Sequence, residues 1–324
     1  MSQPIRLTTP TDVLDVLPAL LGFYPTESLC FLCLDGPRLT VTGRIDLPTD
    51  PDETTDVARH LASLAGVHGD RMLLVVYTVD QEQGRQVLRT VLAGLDPARV
   101  LTVILASAYG WTTLDPERPD VVQWTETYPT QPGAAAAQAA EAGLRASGTR
   151  DDLAESISAP DPASEGAFRG ARTVLPVPDQ PTAEEVAALG REVGEWITGW
   201  VASPVTVTST DAAWLTLRLE ASPDVFDTAL LAIPYPGAAP HAALWQQVAA
   251  LTPDLSATPV LALLAVAAWA AGNGTLSNLA LDRGTQMNDR RVTGSLMLDL
   301  MRTILDRALP PTAWQQMRDD LLNP

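Results

Sequence analysis

Residues 72–106, MLLVVYTVDQEQGRQVLRTVLAGLDPARVLTVILA, decide the fold. Met72 to Val79 is a continuous apolar run of strand length. Gln81 to Leu95 repeats apolar residues at helical spacing, and Arg99 to Ala106 is a second apolar strand. Two buried strands joined by one helix read as a parallel pair with a crossover. Upstream, Ser28 to Leu34 is an apolar strand, and Asp35-Gly36-Pro37 is a turn signal. From Leu39 to Leu47 apolar and polar residues alternate, which predicts the second arm of a hairpin. A helix is expected from about Asp52 to Ala65. A shorter one opens the chain, with Thr9 or Thr11 as cap, Pro10 in the first turn, and Pro18 as a break or kink. Tyr109 to Thr113 and Val121 to Thr125 read as a last hairpin. The predicted fold class is an α/β domain with a mixed, partly parallel sheet, followed by an all-α domain.

The texture changes after Tyr128. Gly133 to Arg145 and Asp151 to Ile157 read as helices. The Pro-, Gly- and Ser-rich stretch 159–181 reads as a linker or covering segment. The expected division is residues 1–158 as an α/β sandwich, 159–181 as the linker and 182–324 as a helical domain. The last part carries eight candidate helices, from Ala183 to Val201 through Thr312 to Leu322, separated by short connections suited to packed helices.

Composition excludes whole classes of function. The 324 residues hold 39 carboxylates against 21 basic groups, for a formal net charge of −18, and no Arg cluster is visible. Nucleic acid and an anionic membrane surface are therefore not expected partners. Every basic residue is Arg. Without Lys, Schiff-base chemistry and a Walker-type phosphate clamp have no amine to use. Cys30 and Cys33 form a CxxC, but in a strand residues three apart point to opposite faces. With no second ligand pair, they read as small buried hydrophobes rather than a zinc or redox site. His60, His68 and His241 show no metal-ligand spacing, and no metal or cofactor is expected. Neither an apolar leader nor a bilayer-length apolar run is visible, so the expectation is a cytoplasmic protein.

Two resemblances follow from particular motifs. The run TDVLDVLPALLGFYPTESLCFLCLDG, with GRIDLP after it, resembles the opening of the actinobacterial domain of unknown function 4192 family. The matching positions are Asp12, Pro18, Leu20, Leu21, Gly22, Phe23, Pro25, Ser28, Leu29, Arg44, Asp46, Leu47 and Pro48. The runs LLAVAAWAAGNGTLSNLALDRG and LPPTAW fit that family's usual ending. This resemblance implies a fold and a lineage, not an activity. Within it, Ala265 to Asp289 resembles one tetratricopeptide-type hairpin, with Trp269, Gly272, Ser277, Leu281 and Gly284 in its characteristic slots; its second small slot is Gly, and Asp289 stands in place of the closing Pro.

The best ligand-site candidates are Tyr24, Glu27 and Ser28 on the first helix–strand turn, with Arg44 and Asp46 two apart on one strand face. The Arg fork can hold a carboxylate or phosphate. The pair can equally bind each other or cap backbone. No G-x-S-x-G elbow surrounds Ser28, and no catalytic signature is present. Trp196, Trp200, Trp245 and Trp269 are candidate anchors for a protein partner or a second copy, since Trp is enriched at binding hot spots. Packing between helices is the other reading of the same residues. The expected function is a non-enzymatic binding or scaffolding protein acting through its helical domain. The alternative is a small-ligand-binding protein or enzyme with a polar pocket in the α/β domain.

Overall fold

The computed structural model describes residues 6–128, 133–141, 146, 148–176, 180–286 and 292–322. The chain divides into two compact units, Met1–Arg150 and Asp151–Pro324.

The first unit is built on a six-stranded sheet in the order β2-β1-β3-β4-β5-β6. The strands are β1 (Ser28–Asp35), β2 (Arg38–Asp46), β3 (Arg71–Tyr77), β4 (Val100–Ala106), β5 (Gly110–Leu114) and β6 (Val122–Thr127). Only β3 and β4 run parallel, and the crossover between them is α3 (Gln81–Ala93). The β1–β2 and β5–β6 hairpins flank this pair, and β1 lies antiparallel to β3. The mixed, partly parallel sheet expected from the sequence is therefore present.

The sheet has two unlike faces. On one, Leu29, Phe31, Leu74, Val76 and Leu105 meet α2 (Pro51–His68) and α3. Asp50 and Asp80 cap these two helices by accepting from backbone N–H groups of the first turn. Close approach requires Gly84, since a Cβ there would lie 2.7 Å from the Leu105 side chain. The other face, bearing Ser28, Cys30, Arg44 and Tyr77, is approached by α1 (Pro10–Leu21), which packs on β2 and on α4 (Ala134–Glu141). Thr9 caps α1 in a reciprocal box with Asp12, and Gly22 ends it at φ 86°. Pro18 was expected to break or kink this helix; α1 runs unbroken through it. A proline removes a single N–H, and the Pro18 carbonyl still accepts from Gly22 N–H at 2.8 Å. Residues 142–145 of the helix expected over Gly133 to Arg145 lie outside the described residues.

The second unit is helical from α5 (Arg150–Glu155) onward. The segment 159–181, read from composition as a linker or covering segment, carries α6 (Pro162–Val174), which buries Phe168 and packs on α8 (Ser209–Ala221). Its start signal is Asp161, which caps the helix, with Pro162 in the first position. Then come α7 (Ala183–Ala202), α9 (Pro223–Leu231), α10 (Ala239–Leu251), α11 (Asp254–Ala270), α12 (Gly274–Thr285), α13 (Ser295–Asp306) and α14 (Ala313–Leu322). Helix α11 is the axis of this unit, buried from Ala257 to Ala270 on every face. It packs on α12 across the Gly272 turn, where the buried Ser277 hydroxyl donates to the Ala265 carbonyl at 2.8 Å. Asp289, the last position of the hairpin motif, lies outside the described residues. Among the described residues no helix is long and apolar enough to cross a membrane.

Candidate functional site

Sheet register assembles a set of side chains that no single strand contains. Ser28 pairs with Asp46 on β2 and with Tyr77 on β3. Tyr77 pairs with Ala106 on β4, Ala106 with Trp111 on β5, and Trp111 with Glu126 on β6. Paired residues share a face, so these six form one row across the whole sheet, on the face approached by α1. Cys30, two residues from Ser28, pairs with Arg44 and extends the site one row inward. The row sits at the carboxyl ends of β3 and β4. Open α/β sheets carry ligands at that end of their parallel strands.

Four buried polar atoms in this set have no nitrogen or oxygen partner: Ser28 Oγ, whose one polar neighbour is the weakly bonding Cys30 thiol, Arg44 Nε, Tyr77 OH and Trp111 Nε1. Ser28 is fully buried, Trp111 nearly so, and the Arg44 side chain is 11% exposed. An open buried donor costs about 1–3 kcal/mol, so folded proteins seldom keep several together without a reason. Burial pushes the Cys30 thiol up to about 12, against the opposing effects of neighbouring Ser28 and Arg44. Tyr77 is raised well above the ordinary phenol value, first by burial and then by Cys30, Tyr128 and Asp15. Both groups are therefore neutral at physiological pH. The carboxylate of Asp15, on α1, also accepts from Gly133 N–H at 2.9 Å, which ties the start of α4 to this face.

The residues proposed from sequence separate into three roles. Ser28 and Arg44 belong to the row and its neighbour. Asp46 is 78% exposed in its side chain and forms an ion pair with Arg44 Nη1, while Arg44 Nη2 donates to the Thr26 carbonyl at 3.4 Å. Glu27 is a strut: it accepts from Thr78 Oγ1 and from Val79 N–H, each at 2.8 Å, while its carbonyl accepts from Leu47 N–H at 2.9 Å. These bonds hold Glu27 at φ 40°, a left-handed conformation that non-glycine residues rarely adopt, and they fix the β3–α3 connection beside the row. The Tyr24 side chain is 58% exposed, and only its backbone is engaged, donating to Gly148 O. Tyr77, Ala106, Trp111 and Asp15 were not singled out in the sequence. Tyr77 had a visible signal, a hydroxyl closing an otherwise apolar strand.

The tryptophans proposed as partner anchors lie mostly inside the helical unit. Trp200, Trp245 and Trp269 are buried, and the indoles of Trp200 and Trp269 donate to Val205 O at 2.8 Å and Leu309 O at 3.0 Å. All three are packed between helices, and the first two indoles find the carbonyl a buried N–H ordinarily needs, whereas Trp245 Nε1 has none. Trp196 is half-buried and stacks against Trp214 with ring centres 6.2 Å apart, and the Arg218 guanidinium lies 3.9 Å from the Trp214 ring centre. No three His, Cys, Asp or Glu residues converge among the described residues.

These features define a two-part protein, an α/β unit with an open buried polar row and a helical unit organised around one apolar helix. The chain belongs to the family described as Domain of unknown function (DUF4192), whose model matches residues 10–312. No curated protein and no solved structure matches it.

Proposed function

We propose that the α/β unit is a small-molecule-binding domain, with its site on the Ser28–Tyr77–Ala106–Trp111 row and Arg44 beside it. The observation that carries this reading is the set of four buried polar atoms without a nitrogen or oxygen partner on one face at the carboxyl ends of the parallel strands. A ligand supplying partners would recover what the folded protein forgoes there. The neutral Cys30 thiol argues for binding rather than nucleophilic chemistry at that sulfur. Recognition of a protein partner through Trp196, Trp200, Trp245 and Trp269 has less support, because three of the four are buried.

Native mass spectrometry of protein purified without denaturation, before and after incubation with a metabolite extract, tests the proposal. The wild-type chain should retain a small molecule that the Ser28→Ala/Tyr77→Phe double variant releases. Equal retention by both proteins, or none by either, would overturn it.

A further inference from the structure

Among the described residues the two outer strands of the sheet, β2 and β6, each leave one edge unpaired. The two edges are guarded unequally. Strand β2 carries Arg38, Arg44 and Asp46, most of it is half-buried, and its Thr40 hydroxyl is bonded to the His68 carbonyl at the end of α2. Strand β6 is bare by comparison. All of Val122–Thr127 is exposed, Glu126 is its one charge, and it holds no Pro, Gly or Lys. Trp124 is 61% exposed. Such an edge offers alternate N–H and C=O groups to any strand that can lie beside it. The register shift against Thr113 and Leu114 skips Gln123, and from Trp124 to Thr127 the edge is regular.

The pattern of β6 fits a second copy of itself. Two copies joined edge to edge about a two-fold axis perpendicular to the sheet run antiparallel, and residues on the same face meet. With Glu126 at the axis, two carboxylates would oppose each other. With Trp124 at the axis, Glu126 would face Val122, beyond the register shift. With Thr125 at the axis no such conflict arises. On one face Thr125 meets Thr125 of the second copy; on the other, Trp124 meets Glu126 of the second copy, twice over. Within one chain the Thr112 and Thr125 hydroxyls already lie 3.3 Å apart, and Trp124 Nε1 reaches its own Glu126 Oε2 only at 3.4 Å. The second copy extends the first contact into a ladder of four hydroxyls and offers each indole a carboxylate directly opposite. We infer that β6 is the contact edge of a two-fold dimer of this chain, paired antiparallel about Thr125 into one sheet continuous through both copies. The contact is short beside the roughly 20–30 residues a side of a stable interface, so association is weak and concentration-dependent. Each copy carries a formal −18, and the two Glu126 residues stand diagonally, roughly 8 Å apart, near the screening length at physiological salt. Added salt therefore strengthens this dimer, whereas a contact held by opposite charges would weaken.

Sedimentation velocity of the full chain, over a concentration series reaching the millimolar range and at low and high salt, tests the inference. The expected result is a reversible monomer–dimer equilibrium that tightens as salt is added. Thr125→Lys sets two like charges at the axis and should weaken the dimer about tenfold. Leu39→Lys, on the exposed part of the other edge strand, should leave it unchanged. The indole N–H resonance of Trp124, in wild-type chain labelled with ¹⁵N-tryptophan and assigned from Trp124→Phe, should move with concentration along the same isotherm. That measurement needs no edge variant to fold. A monomer at every concentration, a dimer indifferent to Thr125→Lys, one lost in Leu39→Lys, or a Trp124 resonance that stays in place as the dimer forms would each overturn the inference. The ligand reading of the row rests on other residues and stands or falls separately.

Discussion

Arg44 in the α/β unit and Arg283 in the helical unit are equally buried, each with an 11% exposed side chain and each beside an aspartate. Their surroundings differ. Arg283 spends all three nitrogens: Nε and Nη2 on Asp254, Nη2 also on Thr252 O at 2.7 Å, and Nη1 on Ala249 O at 2.8 Å and on Ile157 O. Burial lowers its pKa, and Asp254 offsets part of that loss. Arg44 leaves Nε open, as do Ser28, Tyr77 and Trp111 with their own donors. In the helical unit the indoles of Trp200, Trp269 and Trp314 all reach carbonyls; among the described residues Trp245 Nε1 and His241 Nδ1 are its open atoms. A satisfied buried cation ties a fold together, whereas an open one keeps binding capacity in reserve at a cost in stability.

The largest effect is expected at Arg283. Arg283→Met leaves three carbonyls without their donor, while the half-exposed Asp254 turns to solvent, and should destabilise the chain by about 3 kcal/mol. Arg44→Met removes a pair whose carboxylate is exposed and one long bond to Thr26, and it also removes an open donor. It should cost less than about 1 kcal/mol. Urea denaturation followed by circular dichroism measures both, and equal losses would break the comparison. The same contrast applies to indoles. Trp269→Phe gives up the bond to Leu309 O, whereas Trp111→Phe gives up none. The first should therefore cost about 1 kcal/mol more than the second.

Tyr77→Phe sharpens the comparison further. Removing a hydroxyl that has no partner should leave the unliganded protein unchanged, or raise its stability by up to about 1 kcal/mol. The thermal midpoint would stay level or rise while ligand retention falls. A clear loss of stability would mean that the phenol is bonded inside the fold and that the row is structural.

Much of the architecture was legible in the sequence because it depends on local periodicity. The β1–β2 hairpin, the α3 crossover and the β5–β6 hairpin each follow from an apolar pattern and a turn signal. Helix α6 was obscured because Ala, Gly, Ser and Pro around Asp161-Pro162 resemble linker composition, although that dipeptide is also a start signal. The site was half legible. Alternation places Ser28 with Cys30, and Arg44 with Asp46, on common faces. Joining them to Tyr77 and Trp111 requires the register between strands distant in sequence, which strand periodicity does not contain. The tryptophans were ambiguous for a related reason. Spacing along a helix shows which residues share a face, not whether another helix covers that face.

The smallest effect concerns the open atoms of the helical unit. His241 and Trp245 are four residues apart on α10, both buried, and each has one ring nitrogen without a partner. Burial lowers the His241 pKa below its ordinary 6.5, because the charged imidazolium is poorly solvated there. The unfolded chain therefore takes up this proton first as pH falls. The contribution of His241 to stability is undiminished well above pH 6.5 and declines as pH drops through 6.5 toward the lower folded value. His241→Leu should flatten this part of the pH profile while leaving the acid limb set by the carboxylates. Urea midpoints of wild type and variant on either side of the ordinary histidine pKa provide the measurement. Identical pH slopes would mean that the imidazole gains a partner when protonated, which would place His241 with Arg283 among the satisfied groups rather than with Arg44 among the open ones.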